Sequence, residues 1–524
     1  MVTKRPNDGS LCLMPTFNAA PVLSLVPRRH PARGWALPAL SGLLLAASFP
    51  NPIFPGLSPV GAALAWVALW PLLVSLDGAS DAVQGFRRAW LAGAVFYALH
   101  CSWLPRAWPV GWPAWMTWAA LAGYCALYPA FFGAAYAWMR RHRTPLEALW
   151  VPALWTLSET ARAHLFTGIP AYSLGSSQAL DPWLLPLAGV LGVAGLNFTL
   201  CLAALCLHRV FQRGWSRRES GLALAVALVL ALTAALAPSA SGPAQGRRTV
   251  IALLQGAHHR QDSQAEERSV RNIRIYGTLT TDAMHAGAKL LLWPEEAFPE
   301  DLSAGEARGS ELTSFAKRWK LSILAGSNLA LDDGWANAAV LINKTGKHQT
   351  YQKRHLVPFG EYMPFRDAHP LLAWWAERYD LPAFKPGGPA TLFDADGLKL
   401  SPVLCYESLF GEDLREDNGG LLVVLANDAW FKDEATPNYH LMHSILRAVE
   451  GGRYVAHLVA DGPSAVIGPD GRILQRLEQG ERGYLLGEVD SRCGSPYRRW
   501  GWAFPWLCAG LVALALAINV LRSR

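Results

Sequence analysis

Ser401-Pro402-Val403-Leu404-Cys405-Tyr406-Glu407 reads as a short buried strand breaking into a turn, with a thiol at its end and a carboxylate two residues on. Cys405 is the only cysteine between residues 239 and 492. Upstream, Leu291-Leu292-Trp293-Pro294-Glu295 and Tyr351-Gln352-Lys353 are two more strand ends that carry chemistry. A free thiol titrates near ~8.5, so it needs a base or a cation beside it to attack at neutral pH. A thiol, an acid and a cation, each on a different strand end, make a candidate covalent catalyst. In it Cys405 is the nucleophile, Glu295 the general base and Lys353 the oxyanion stabiliser, helped by the backbone N–H of Tyr406. Glu361 and Glu407 lie near the same strand ends, to orient Lys353, hold loop amides or assist proton transfer.

The surrounding segment, 248–490, alternates strand and helix. Apolar runs predict strands at Thr249–Leu254, Ala288–Trp293, Leu321–Ala325, Ala338–Ile342, Leu398–Leu404, Leu421–Leu425, Val455–Val459 and Ala465–Ile467. Continuous runs of this kind fit strands buried on both faces, so a layered α/β sandwich is expected.

The rest of the chain has a different character. Hydrophobic residues make up 52% of the 524 and charged ones 17%, too apolar for a soluble protein of this length. Residues 35–237 hold seven candidate membrane spans, about 35–52, 57–76, 88–105, 113–138, 146–163, 183–207 and 219–237; 501–521 is an eighth. Residues 1–34 form a tail. Arginines cluster in alternate loops (Arg28, Arg29 and Arg33; Arg87 and Arg88; Arg140, Arg141 and Arg143; Arg209, Arg213, Arg217 and Arg218; Arg522 and Arg524). By the positive-inside rule both termini are cytoplasmic and the 248–490 domain lies outside. The same clustering accounts for the net charge of +7 and removes nucleic acid as a partner. No metal-ligand or CxxC spacing occurs, so neither metal, cofactor nor disulfide framework is expected. A cleaved signal peptide is not expected either, because Pro15, Pro21 and Pro27 break the N-terminal apolar stretch. Glu159 and Arg162 share a helix face near the outer end of the fifth span, either as an interfacial ion pair or as a lipid-headgroup contact.

Glu-Lys-Cys in this order resembles the nitrilase superfamily, which implies an αββα sandwich. A longer set of motifs narrows the resemblance to that superfamily's membrane-fused branch, the apolipoprotein N-acyltransferases. It comprises Gln255-Gly256, Trp293-Pro294-Glu295, Tyr351-x-Lys353, His355-Leu356-Val357-Pro358-Phe359-Gly360-Glu361, Phe384-x-Pro386-Gly387, Cys405-Tyr406-Glu407 and Asn427-Asp428-Ala429-Trp430-Phe431. Trp155-x-x-x-Glu159-x-x-Arg162 and Thr167-Gly168-x-Pro170 extend it into the apolar half. The resemblance implies a monomeric enzyme of the bacterial inner membrane with its catalytic domain in the periplasm. An acyl chain would pass from a phospholipid to Cys405 as a thioester, then to the α-amine of a diacylglyceryl-cysteine apolipoprotein. It also implies Trp374, Trp375, Asn427 and Trp430 as substrate-binding residues. One run departs from the branch: where an arginine and an Asn-rich turn are usual, this chain has Tyr454 to Pro463, with His457 and Asp461.

Ala368-His369-Pro370-Leu371-Leu372-Ala373-Trp374-Trp375 is an aromatic insertion, read as an arm dipping into the outer leaflet or as packing on the sandwich. Two other functions fit the residues alone: a membrane-anchored amidase in which water resolves the thioester, and a non-catalytic lipid-binding protein. A fused glycosyltransferase is not expected.

Overall fold

The computed structural model describes residues 33–107, 111–166, 168–212, 216–235, 248–257, 265–298, 300–302, 307–379, 383–415 and 419–523. Nearly all of the expected N-terminal tail lies outside them, as do Thr167, Arg213 and Arg524.

Two six-stranded sheets form the sandwich. The first runs β12-β1-β2-β3-β4-β5, from β1 (Thr249–Gln255), β2 (Leu290–Phe298), β3 (Ser322–Leu331), β4 (Gly334–Ile342), β5 (His348–Gln352) and β12 (Gly483–Val489). The second runs β11-β10-β9-β8-β7-β6, from β6 (Phe393–Ala395), β7 (Leu398–Leu404), β8 (Leu421–Ala426), β9 (Val455–Val459), β10 (Ser464–Ile467) and β11 (Ile473–Leu477). Each sheet has a parallel centre, β1-β2-β3 or β7-β8-β9, flanked by antiparallel strands. The eight strands expected from apolar runs are all present.

Strand alternation assigns the layers. Leu421, Val423 and Leu425 of β8 face Ile251, Leu253, Leu290 and Leu292 across the sandwich interior, whereas Leu422 and Val424 point the other way. On the outer face of the first sheet, Leu254, Leu291 and Trp293 meet Tyr276 and Ala316. These two belong to the helices Ala265–His285 and Ala307–Trp319. The second sheet is covered by Ala435–Gly451, a helix buried along almost its whole length. It has no solvent side because the apolar helices pack on its far face. Tyr439, Ile445 and Leu446 share one core with Leu187, Leu196 and Leu200.

In chain order the apolar half holds α1 (Arg33–Ala47), α2 (Pro59–Ala68), α3 (Trp70–Asp77), α4 (Ala82–His100), α5 (Leu104–Ala107), α6 (Trp112–Arg141), α7 (Glu147–His164), α8 (Leu185–Gln212) and α9 (Arg217–Ala235). Continuing the numbering, the sandwich helices are α10 (Ala265–His285), α11 (Ala307–Trp319), α12 (Pro370–Arg378) and α13 (Ala435–Gly451). The short α14 (Pro496–Arg499) leads into α15 (Phe504–Ser523).

Each of the eight expected spans falls on a helix, but among the described residues only five segments are long and apolar enough to cross a bilayer. They are Pro59–Asp77, Trp112–Arg141, Leu185–Gln212, Arg217–Ala235 and Gly501–Arg522. The other three fall short for physical reasons. With 15 residues, α1 reaches only about 22 Å. The 19-residue α4 carries Arg87 and Arg88, and α7 carries Glu147, Glu159 and Arg162.

Candidate active site

Glu295 sits in an irregularity of β2. The β2–β3 pairing shifts register between Trp293 and Phe298, where Pro294 has no N–H for the ladder, and Glu296 follows at φ 55°. Gly326 of β3 permits this geometry, since a Cβ there would lie 2.5 Å from Glu295 Cα. Lys353 follows β5, with its N–H donating to the Asn337 carbonyl at 2.8 Å. Cys405 follows β7 at φ 47°, a left-handed conformation that costs a non-glycine residue about 1–2 kcal/mol. Strain of this kind concentrates at functional sites.

The structure brings Glu295, Lys353 and Glu361 into direct contact. Lys353 Nζ donates to Glu295 Oε1 at 3.0 Å and to Glu361 Oε1 at 2.8 Å, and both Lys353 and Glu295 are buried. Asn337 Nδ2 bridges the same two oxygens at 2.7 and 3.1 Å. The Asn427 N–H donates to Glu295 Oε2 at 3.0 Å, while its side chain donates to Glu296 at 2.8 Å. Asn427, expected at the substrate, is thus engaged on carboxylates. Glu407 lies apart from this cluster. It accepts from Tyr351 Oη, the N–H groups of Arg354 and His355, and the N–H of Leu404, at 2.6–3.2 Å, so it ties the Lys353 strand end to the Cys405 strand end.

Electrostatics follow from burial and charge count. Burial, with Glu361 and Glu296 nearby, raises the Glu295 carboxyl above its usual range against the pull of Lys353. Burial alone would lower Lys353, but Glu295 and Glu361 hold it well above the usual lysine range. The Cys405 thiol is pushed well up by burial and by Glu295, with Lys353 opposing. Burial therefore favours the protonated thiol at rest, with the Glu295 carboxyl and the Lys353 ammonium both bearing on it.

Sequence reasoning missed Asn337, whose one signal was a polar residue inside the apolar run of β4. It also missed a buried pair behind the nucleophile. His440 Nδ1 lies 3.1 Å from Asp428, and its Nε2 lies 3.2 Å from the Cys405 carbonyl and 2.9 Å from Ser408 Oγ. Burial would lower His440, but Asp428 holds it above the ordinary histidine range.

The tryptophans expected at the substrate are all at least partly exposed. Trp374 and Trp375 stand on α12, Trp374 more than half exposed, and Trp375 meets Trp112 of α6 edge-on at 6.2 Å. Trp430 is partly exposed, and its neighbour Phe431 meets Trp103 edge-on at 5.0 Å.

Comparison with known proteins agrees with this architecture. Residues 41–206 match the apolipoprotein N-acyltransferase N-terminal domain, and residues 219–498 match the carbon-nitrogen hydrolase family. An apolipoprotein N-acyltransferase of Geobacter metallireducens is 31% identical over 536 aligned positions, spanning 97% of this chain and 98% of that one. The chain belongs to the apolipoprotein N-acyltransferase family. Similar members include those of Azotobacter vinelandii, 33% identical over 87% of this chain and 92% of the relative, and Pseudomonas putida, 34% identical over 76% and 79%. Membership of this family accounts for a carbon-nitrogen hydrolase sandwich seated on apolar helices.

Proposed function

We propose that this chain is an enzyme that moves an acyl chain from a membrane phospholipid to the α-amine of an apolipoprotein's diacylglyceryl-cysteine, through a thioester on Cys405. The observation that carries the reading is the Glu295–Lys353–Glu361 contact beside a strained, protonated Cys405, in a chain of this family. In the first half-reaction Glu295 takes the thiol proton as sulfur attacks the ester carbonyl. Lys353 and the Tyr406 N–H hold the oxyanion. The ester C–O bond then breaks, and the proton passes to the leaving lysophospholipid oxygen. In the second half-reaction the amine attacks the thioester and gives its proton to Glu295, the C–S bond breaks, and the proton returns to sulfur. One thiol serving two half-reactions implies ping-pong kinetics. Glu361 and Glu407 are positioning residues in this scheme, one on Lys353 and one on both strand ends. Trp374, Trp375 and Trp430 are proposed to meet lipid. Asn427 would act through Glu295.

The proposal places 35–237 and 501–521 in the bacterial inner membrane and 248–490 outside it, with both termini cytoplasmic and the protein a monomer. All eight helical segments would cross: Arg162 and Glu159 of α7 are buried within the protein, and Arg87 and Arg88 stand near the N-terminal end of α4. Intact mass measurement after incubation with phospholipid alone tests the chemistry. An acyl increment on Cys405, absent in Cys405→Ser, is expected. Steady release of free fatty acid without amine would replace the transferase with a hydrolase, and no adduct at all would remove Cys405 as nucleophile.

A further inference from the structure

The nucleophile's turn is anchored from inside the apolar helices. Arg162 of α7 has no solvent exposure. Its guanidinium donates to Glu159 Oε2 at 2.6 Å and to the carbonyls of Ile169 and Ala171, and it lies over the Tyr97 ring at 5.4 Å. Both carbonyls belong to the segment that follows α7, so the ion pair fixes the path of residues 168–172. Gly168 makes the bend at φ 66°, where a Cβ would lie 2.4 Å from the Ala163 carbonyl.

That segment is bound to the catalytic sandwich at two points. Tyr406 Oη donates to the Gly168 carbonyl at 2.9 Å. The Tyr172 N–H donates to Tyr439 of α13, and the two rings stack at 4.1 Å. Tyr406 immediately follows Cys405, and its N–H is the proposed oxyanion donor. The hydroxyl at the far end of the same residue is therefore held by a loop whose shape depends on Glu159 and Arg162. Among the described residues the sandwich offers the Tyr406 hydroxyl no other hydrogen bond, and its ring meets Phe410 edge-on at 5.3 Å.

We infer that Glu159 and Arg162 are positioning residues for Cys405 chemistry, acting through the Gly168 carbonyl and the Tyr406 hydroxyl. The ion pair is thus neither a passive helix tie nor a headgroup site. A fully buried guanidinium engaged with Glu159, Ile169 and Ala171 is poorly placed to meet a phosphate. The inference rests on the proposed role of Cys405. Small displacements of a donor or nucleophile are costly in rate, up to about a hundredfold for 1 Å.

The test uses the full-length enzyme in dodecyl maltoside micelles carrying phosphatidylethanolamine. It follows acyl mass on Cys405 in single turnovers, together with melting temperature. Tyr406→Phe removes only the hydroxyl, and Glu159→Gln keeps a hydrogen-bond acceptor for Arg162. Each is expected to slow acylation about tenfold at saturating lipid, with the half-saturating lipid concentration and the melting temperature unchanged. Combining them is expected to cost no more than the slower single variant, because both act through one contact. Arg162→Lys is expected to retain more rate than Arg162→Gln. Multiplicative losses in the double variant would overturn the inference, as would rates that simply track melting. A loss confined to the half-saturating concentration would restore the headgroup reading instead. Failure of the parent enzyme to form any adduct would remove the Cys405 assignment first, a result distinct from all of these.

Discussion

At one end of the apolar bundle Arg209 lies between Glu147 and Asp77, and in the sandwich Lys353 lies between Glu295 and Glu361. In the bundle, two carboxylates face two arginines, because Arg140 also reaches both at 3.3 Å. His208 and Tyr136 add donors to Asp77 at 3.0 and 2.6 Å. The cluster joins the ends of α3, α6, α7 and α8, and its charges are matched. In the sandwich, one ammonium serves two carboxylates, with Glu296 close by. A matched cluster holds helices together; an unmatched one leaves a carboxyl that binds a proton readily, and a proton that can move is what catalysis needs.

Replacing the cation in each cluster separates the two roles. Lys353→Met removes the proposed oxyanion donor, a contribution of about 3 kcal/mol, so thioester formation is expected to fall by at least about a hundredfold. Its melting temperature should change far less than its rate. Arg209→Met leaves Glu147 and Asp77 with Arg140 as their one remaining arginine in a buried setting, where breaking a pair costs about 3–5 kcal/mol. Here the expected result is a lower melting temperature in detergent, with near-normal turnover in the fraction that stays folded. If Arg209→Met instead cut turnover at unchanged stability, the contrast between the clusters would collapse.

A smaller effect is expected at Glu407. Its two oxygens accept four hydrogen bonds, three of them from backbone N–H groups. Glu407→Gln loses one acceptor oxygen and leaves a donor unmet, at a cost of about 1–3 kcal/mol shared between stability and strand-end alignment. Thioester formation should slow about tenfold, with the mass adduct still forming on Cys405. Complete loss of the adduct would mean that Glu407 takes part in proton transfer.

The same contrast between interior and edge explains what could be read from the sequence. All eight strands predicted from apolar runs exist; β5 was read only as the strand end that delivers Lys353, and β6, β11 and β12 were not placed as strands. Those four are the four sheet edges. An edge strand has fewer neighbours and keeps polar positions, as in Ile-Leu-Gln-Arg-Leu of β11, so its run is broken. Glu295 and Cys405 were legible because they stand out at the close of apolar runs, and Lys353, which closes the polar run His348–Gln352, was read beside them. Asn337 and His440 were not, since their roles depend on which strands and helices become neighbours. The spans show the converse limit. Apolar run length placed all eight segments on helices, but Glu147 of α7 pairs with Arg140 of α6 and Arg209 of α8, and no window along the chain displays that pairing.

The smallest and sharpest effect concerns pH. In the proposed scheme Glu295 must be ionised to take the thiol proton, so activity is expected to fall as pH drops through its folded pKa. That pKa is raised, chiefly by burial, and Glu361 raises it further, which puts the acid limb above the ordinary carboxylate range. Glu361→Gln removes a negative neighbour and keeps one acceptor oxygen for Lys353, while the Val357 N–H, now accepted by the other oxygen at 2.8 Å, loses its partner. The Glu295 carboxyl should then ionise at lower pH, and the acid limb of thioester formation should move down by a fraction of a unit. An upward move would mean that the main effect of Glu361 is to secure Lys353 against Glu295. An unmoved limb would mean that another group, His440 being the nearest candidate, governs the proton that leaves Cys405.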